Sequence, residues 1–218
     1  MKIKIRIKGE CERVNLYRGA KKNGLKVMEP NIVNHGTPYV YATTDKIEAI
    51  IYSVKGGNFN YTNIYGYDDD GKRCLIERKK NCLEDIYNTV GRYYVLDDKI
   101  FEKHEGLGVG DNEYVSILPV KVIEEVKIDN VWQYFKELEQ SDKLKIYRYP
   151  SRPKLYPDDD SDLIECAIIM YLQGTDLDAS FNLLLKYHPE LSDIATKKKN
   201  EIIIMSKDEI RNDLKYFK

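Results

Sequence analysis

The chain has 218 residues, of which 42% are hydrophobic and 33% are charged, and its 35 basic side chains nearly balance its 36 acidic ones. This composition is typical of a soluble globular protein and argues against a disordered chain or one adapted as a whole to nucleic acid. The length allows one large domain, or a medium domain with a smaller appendage. No apolar run is long enough to span a bilayer, so we expect a cytoplasmic protein.

The first part of the chain carries strand patterns. Residues 1–8 alternate basic and apolar side chains, which predicts a first strand with one wet face and not a secretory signal. Residues 16–19 form a second apolar stretch that ends in a glycine, a position where the backbone passes close to something or turns sharply. Aromatic, β-branched and threonine residues at 39–44 predict a further strand.

A short helix is expected directly after the strand at 39–44. Asp45 is its candidate N-cap, and the helix is predicted over residues 46–52 with Glu48 outside its apolar face. That face is formed by Ile47, Ile50 and Ile51. The pattern therefore predicts a strand that runs straight into a packed helix.

The middle of the chain reads as a hairpin followed by another strand. An acidic turn at 68–71 predicts the hairpin, because aromatic and apolar residues flank it on both sides: Tyr65, Tyr67, Cys74, Leu75 and Ile76. The basic cluster at 78–80 is typical of a solvated face. Residues 92–96 are rich in tyrosine and valine and predict a strand.

A carboxylate stands at the start of the next apolar strand. Glu113 opens the segment 113–122, and Pro119 interrupts this segment in a way that suits an edge or a bulge. Asp111 lies two positions earlier, so an extended chain would aim both carboxylates at one face. The alternative explanation is a solvated strand edge whose charges discourage aggregation.

Strand patterns nearly vanish in the last third of the chain. Asp129 or Asn130 is expected to cap a helix that closes the first domain, and the proline-containing residues 141–160 resemble a connector. Helical patterns follow at 163–172 and 177–187, and a capping box at positions 206–209 predicts a last helix. We therefore expect an α+β protein, with a β-rich domain at residues 1–140 and an α-helical extension at residues 141–218.

Three short motifs together resemble the signature strands of the ADP-ribosyltransferase fold. They are, in chain order, Leu-Tyr-Arg-Gly at 16–19, the strand at 39–44 with its helix, and Asp-Asn-Glu-Tyr-Val at 111–115 ahead of Leu-Pro. The family places His or Arg with a following Gly on its first signature strand, an aromatic or Ser/Thr group on the second, and Glu on the third. The resemblance covers roughly residues 16–126 and implies a split-sheet domain.

Two further segments, residues 91–95 and 119–126, look like the members that ADP-ribosylate rifamycins and, more faintly, like RNA 2′-phosphotransferases. Those two kinds of member resemble one another in having His where this chain has Arg18. Toxin-type members with Arg usually carry Ser-Thr-Ser on the second strand, where this chain is rich in tyrosine. The chain thus shows a mixed pattern.

The resemblance implies NAD as the substrate and gives three residues catalytic roles. Glu113 would stabilise the oxocarbenium character that develops on the ribose when the nicotinamide bond breaks. Arg18 would grip a phosphate or ribose, and Tyr41 would stack on the cationic nicotinamide. The implied cofactor-binding residues are Arg18, Gly19, Tyr39, Tyr41 and Thr43.

Other parts of the site follow from the same resemblance. Gly19 would let backbone groups bond the carboxamide, and Tyr39 is the second choice for stacking. Asp111 would lie on the acceptor side.

The spacing of the four cysteines and three histidines supports no metal site.

The implied function is therefore mono-ADP-ribosyl transfer to an acceptor that is a protein, a nucleic acid or a small molecule. One alternative is a non-catalytic module that keeps the fold as a binding cleft and uses the C-terminal helices to dock a protein partner. Another is an RNA-end-processing enzyme of the 2′-phosphotransferase kind. That enzyme needs a basic wall beside the cleft, which the scattered Lys and Arg residues neither show nor exclude.

Overall fold

A computed structural model describes residues 14–32, 37–54, 59–104 and 112–214, the side chains of residues 59 and 60 excepted. The strand predicted at residues 1–8 and the acceptor-side candidate Asp111 lie outside the described residues.

Strands predominate in the first part of the described chain, and helices predominate after residue 130. The strands are β1 (Leu16–Gly19), β2 (Val27–Met28), β3 (Asn31–Ile32), β4 (Pro38–Thr43), β5 (Asn63–Tyr67), β6 (Arg73–Glu77), β7 (Gly91–Leu96), β8 (Glu102–Lys103), β9 (Glu113–Ser116), β10 (Val120–Ile128) and β11 (Lys145–Tyr147). The helices are α1 (Lys46–Ser53), α2 (Phe59–Thr62), α3 (Cys82–Tyr87), α4 (Val131–Gln140), α5 (Ser161–Leu172), α6 (Leu177–Tyr187), α7 (Ser192–Ile203) and α8 (Lys207–Asp213).

The chain forms two compact units, each made of two separate segments. Unit 1 comprises Met1–Val54 and Val90–Asp129, and unit 2 comprises Lys55–Thr89 and Asn130–Lys218. Residues 55–89 therefore belong with the C-terminal helices, whereas the sequence placed them in a first domain that ends at residue 140. The helix α4, which was expected to close the first domain, also belongs to unit 2.

Unit 1 is built on an antiparallel sheet. Its strand order is β2-β10-β7-β1-β4-β9-β8, and β3 pairs with the first residues of β4, Pro38 and Tyr39. Because side chains alternate along a strand, every second residue of the central strands enters one core. That core consists of Leu16, Met28, Val40, Ala42, Tyr94, Leu96 and Val120.

The helix α1 begins where the sequence predicts. Asp45 has extended backbone angles, and its side chain accepts hydrogen bonds from the backbone N–H groups of Ile47 and Glu48. It thereby satisfies two of the donors that a helix start leaves open, which confirms the predicted N-cap. Ile50 and Ile51 are buried, as the apolar pattern indicates.

Unit 2 contains the predicted hairpin and the C-terminal helices. The strands β5 and β6 pair antiparallel around the acidic turn, and β11 pairs parallel with β6. The connector prediction for residues 141–160 is therefore wrong at β11, whose three residues are too few to give a pattern. The predicted capping box is confirmed, because Ser206 and Glu209 bond each other's backbone N–H groups.

The basic cluster at 78–80 is only partly on a solvated face. Lys79 and Lys80 are exposed, but Arg78 is 1% exposed. Its guanidinium forms two hydrogen bonds to Asp162, of 2.5 and 2.7 Å. A buried Arg needs such a partner, and the partner lies 84 residues away in sequence. Short-range charge patterns therefore could not place Arg78.

The α+β class is confirmed by the antiparallel sheet of unit 1 and the four helices that end the described chain. Across the described ranges, no helix has the length and apolar character that a membrane-crossing segment requires.

Candidate functional site

Three neighbouring strands of unit 1 carry the predicted site residues. β4 lies between β1 and β9 and is hydrogen-bonded to both. The predicted site residues on these strands are Arg18 and Gly19 on β1, Tyr39, Tyr41 and Thr43 on β4, and Glu113 on β9.

The strand register brings several of these side chains to one face of the sheet. Thr43 lies directly opposite Glu113 on β9 and directly opposite Tyr17 on β1. Directly opposed residues of antiparallel strands share a face, with their Cβ atoms about 4.5–5.5 Å apart. Tyr41 and Tyr39 precede Thr43 by two and four positions, so they lie on the same face as Glu113.

Tyr41 lies close to the other ionisable residues of the predicted site. Its hydroxyl oxygen is buried, and burial raises the pKa of Tyr41. The negative charge of Glu113 and the neighbouring Tyr39 raise this pKa further, and the positive charge of Arg18 opposes them. The rings of Tyr39 and Tyr41 contact edge to face, with their centroids 5.7 Å apart. The side chains of Glu113, Tyr39 and Arg18 therefore all lie near the Tyr41 hydroxyl.

The side chain of Arg18 contacts the backbone of Tyr41. Arg18 follows Tyr17 on β1, so its side chain starts from the opposite face of the sheet. Its Nη1 donates a hydrogen bond of 3.0 Å to the carbonyl oxygen of Tyr41, just past the pair that joins β1 to β4. Burial lowers the pKa of Arg18 from its ordinary value, and the phenol of Tyr41 opposes this effect. A guanidinium has five N–H donors, so this bond occupies only one of them.

Gly19 is explained by the packing of α1 on β1. A Cβ atom at this position would lie 1.9 Å from the carbonyl oxygen of Ala49 and 2.6 Å from the backbone nitrogen of Ser53. Both atoms belong to the helix backbone, which cannot move aside as a flexible side chain can. The close approach predicted at Gly19 is therefore an approach of helix to strand.

The hydroxyl of Thr43 makes two hydrogen bonds inside the protein. It donates to Oε2 of Glu48 at 2.7 Å and accepts from the backbone nitrogen of Asp45 at 3.0 Å. Both Thr43 and Glu48 are buried, at 8% and 4% exposure. Glu48, which the sequence placed away from the packed face, is thus a buried carboxylate beside the row of Thr43 and Glu113.

Tyr52 on α1 completes this side of the site. Its residue surface is 59% exposed, yet loss of water around its hydroxyl raises the pKa of Tyr52. The negative charges of Glu48 and Glu113 raise the same pKa further. The phenol of Tyr52 therefore lies within electrostatic reach of both carboxylates.

His104 borders the site on the other side of Glu113. Its backbone nitrogen donates a 2.9 Å hydrogen bond to the carbonyl oxygen of Glu113, which continues the β8 and β9 register and puts His104 directly opposite Glu113. The imidazole contacts Tyr39 edge to face, with ring centroids 6.1 Å apart. Its Nδ1 is buried and has no hydrogen-bond partner among the described residues.

Three of these residues did not emerge from the sequence. Glu48 stands three positions after the Asp45 N-cap, which is the capping-box position, and this spacing was a usable signal. Tyr52 follows Glu48 by four positions, so the two share a helix face. His104 has no comparable local signal, because only the pairing of β8 with β9 brings it to Glu113.

The arrangement combines carboxylates, aromatic rings and a guanidinium in unit 1. Carboxylates and tyrosine faces attract cationic groups, and a guanidinium binds phosphate or carboxylate. In the described ranges, no group of three or more His, Cys, Asp or Glu side chains could hold a metal ion. The site residues are therefore suited to a ligand with both cationic and anionic parts.

The fold and site define an α+β protein with a tyrosine-rich acidic site on an antiparallel sheet. Comparison with models of known protein families, with curated proteins and with solved structures finds no significant match.

Proposed function

We propose that this protein is an NAD-dependent mono-ADP-ribosyltransferase that uses Glu113, Tyr41 and Arg18. The single observation that carries the proposal is the position of β4 between β1 and β9, because this strand order brings Arg18 and Glu113 close to Tyr41. Arg18 and Tyr41 are 23 positions apart in the sequence, and Tyr41 and Glu113 are 72 positions apart. The pairing of their strands is what brings these residues together.

The chemistry of NAD fits the charges of the site. NAD has a cationic nicotinamide ring, two ribose groups and a pyrophosphate. Breaking the bond between ribose C1′ and the nicotinamide nitrogen sends the bonding electron pair to the ring and leaves positive character on the ribose. Glu113 stabilises this positive character, Tyr39 and Tyr41 contact the ring, and Arg18 binds phosphate. The acceptor then bonds to C1′ and loses its proton.

A non-catalytic binding module is the second candidate function. The observation that favours it is the internal use of two predicted cofactor-binding residues: Gly19 is required by the packing of α1, and the Thr43 hydroxyl is bonded to Glu48 and Asp45. In that case the site would bind a ligand without cleaving it.

NAD binding and nicotinamide release separate the two candidates. We expect calorimetry to detect NAD binding by the wild-type protein and chromatography to detect slow nicotinamide release. Arg18→Ala is expected to weaken binding by about 10- to 100-fold, because a charge-assisted hydrogen bond is lost. Glu113→Gln is expected to reduce release by about 10²–10³-fold with little change in binding, because its charge acts mainly on the transition state.

Glu124→Gln is the matched control, since Glu124 is an exposed carboxylate on β10 of the same unit. It should bind NAD and release nicotinamide as the wild type does. Absence of NAD binding at millimolar concentration would refute the transferase. NAD binding without nicotinamide release from the wild type would favour the binding module.

A further inference from the structure

Two carboxylates flank Thr43 in unit 1. Glu48 accepts the hydrogen bond of the Thr43 hydroxyl at 2.7 Å, and Glu113 is the residue directly opposite Thr43 on β9. One carboxylate comes from a helix and the other from a strand, so their proximity depends on the tertiary fold. Glu48 is 4% exposed, and a buried carboxylate keeps its charge only with nearby hydrogen-bond donors.

The negative charges of both carboxylates act on one phenol, that of Tyr52. Burial is the main cause that raises the pKa of Tyr52, and the negative charges of Glu48 and Glu113 both add to it. A phenol within reach of two carboxylates lies beside a concentrated negative charge. Such a concentration disfavours ionisation of each member of the pair, because like charges repel.

Other charged and titratable groups surround the pair in the described structure. They are Arg18 and Tyr17 on β1, Tyr39 and Tyr41 on β4, Asp45 before α1, Lys46 and Tyr52 on α1, and His104 after β8. Lys46 lies over the rings of Tyr17 and Tyr93, at 5.5 Å from each centroid. Arg18 is bonded to the carbonyl of Tyr41. Both cations thus have other contacts in the described structure.

We propose that Glu48 is a positioning residue of the site, which forms a coupled carboxylate pair with Glu113 and adds a second negative charge beside the reacting ribose. The inference rests on the proposed transferase function. Glu113 faces the ribose as the C1′–nitrogen bond breaks and its electron pair moves to nicotinamide. Glu48 does not touch the ribose. It accepts the hydrogen bond of the Thr43 hydroxyl, and its negative charge stabilises the positive charge that develops on the ribose without contacting it.

Helix capping is the simpler role that Glu48 must be distinguished from. Thr43 accepts from the Asp45 N–H and donates to Glu48, so these contacts also fix the start of α1. Capping needs an acceptor for the Thr43 hydroxyl, whereas coupling to Glu113 needs the negative charge. Glu48→Gln keeps an acceptor and removes the charge. Thr43→Ser keeps the hydroxyl that Glu48 accepts from, and with it both charges.

The test is the carboxyl titration of Glu113, followed by NMR with ¹³C-labelled glutamate. The Glu113 signal is identified by its loss in Glu113→Gln. We expect this signal to titrate at lower pH in Glu48→Gln than in the wild type, because the neighbouring negative charge is gone. Thr43→Ser, which keeps the hydroxyl and both charges, is expected to leave the titration in place. An unchanged Glu113 titration in Glu48→Gln would overturn the pair.

The reciprocal variant covers the case in which Glu48→Gln does not fold. Glu113 is only half-buried, and in Glu113→Gln the Glu48 signal should move to lower pH by a similar amount. If the Glu48 signal titrated at the same pH in Glu113→Gln as in the wild type, the proposed pair would also be overturned.

Nicotinamide release separates this inference from the proposed function. In Glu48→Gln we expect a lower maximal rate, with the acid limb of the pH profile displaced to lower pH. A capping role alone would not displace that limb. Coupled titrations without nicotinamide release from the wild type would refute the transferase and with it the positioning role of Glu48. Release with uncoupled titrations would refute the pair and leave the transferase standing.

Discussion

Replacing Asp162 with alanine is expected to lower the free energy of unfolding of unit 2 by about 3–5 kcal/mol, the range for breaking a buried ion pair on one side. Arg78 is 1% exposed, and both of its terminal nitrogens bond Asp162. Burial alone lowers the pKa of Arg78, but the bonds to Asp162 and the charge of Asp160 outweigh it and raise the pKa. Without Asp162, the guanidinium stays charged, and its remaining ion pair with a described residue is the 3.3 Å contact with Asp160.

Denaturant unfolding followed by tryptophan fluorescence measures this loss. Trp132 is the one tryptophan of the sequence, and it is buried in unit 2. Asp208→Ala is the matched control, because Asp208 pairs with Arg211 on the surface of α8 and should cost about 1 kcal/mol or less. Equal midpoints for the two alanine variants would contradict the prediction. Arg78→Met combined with Asp162→Leu should recover most of the loss, since no unpaired charge then remains buried.

Local patterns were sufficient for the elements next to the site. The strand β4 and the helix α1 could be predicted because tyrosines, threonines and an Asp45 cap express their preferences over a few residues. The pairing of Thr43 with Glu113 could not be predicted in this way, because nothing in either strand specifies its neighbour. Only the resemblance of the ordered motifs suggested that Arg18, Tyr41 and Glu113 meet.

The residues that escaped prediction depend on distant partners. Glu48 is polar, so an amphipathic helix pattern assigns it to solvent, yet the donor at Thr43 makes its burial favourable. Arg78 sits in a run of basic residues, and its partner Asp162 belongs to a helix far along the chain. The same dependence on tertiary pairing explains why residues 55–89 could not be assigned to unit 2 from sequence.

Replacing Gly19 with alanine is expected to destabilise unit 1 by about 3 kcal/mol or more, at the upper end of the range for overpacking. The added Cβ would lie 1.9 Å from the Ala49 carbonyl oxygen, so α1 must move away from β1 or unwind. Hydrogen exchange measured by mass spectrometry on peptides from β1 and β7 reports this loss, and the fluorescence of Trp132 follows unit 2 in the same sample.

Gly24→Ala is the control for the substitution itself. Gly24 lies in the same unit at a φ of +69° with no atom within 4 Å of an added Cβ, so its cost is limited to about 1–2 kcal/mol of backbone strain. If Gly19→Ala were no more destabilising than Gly24→Ala, the close packing of α1 on β1 would be refuted. A large loss would mean that α1 packing is enough to require glycine here. NAD binding by Gly19→Ala must therefore be compared at equal folded fraction, because reduced binding by an unfolded strand says nothing about the carboxamide contact.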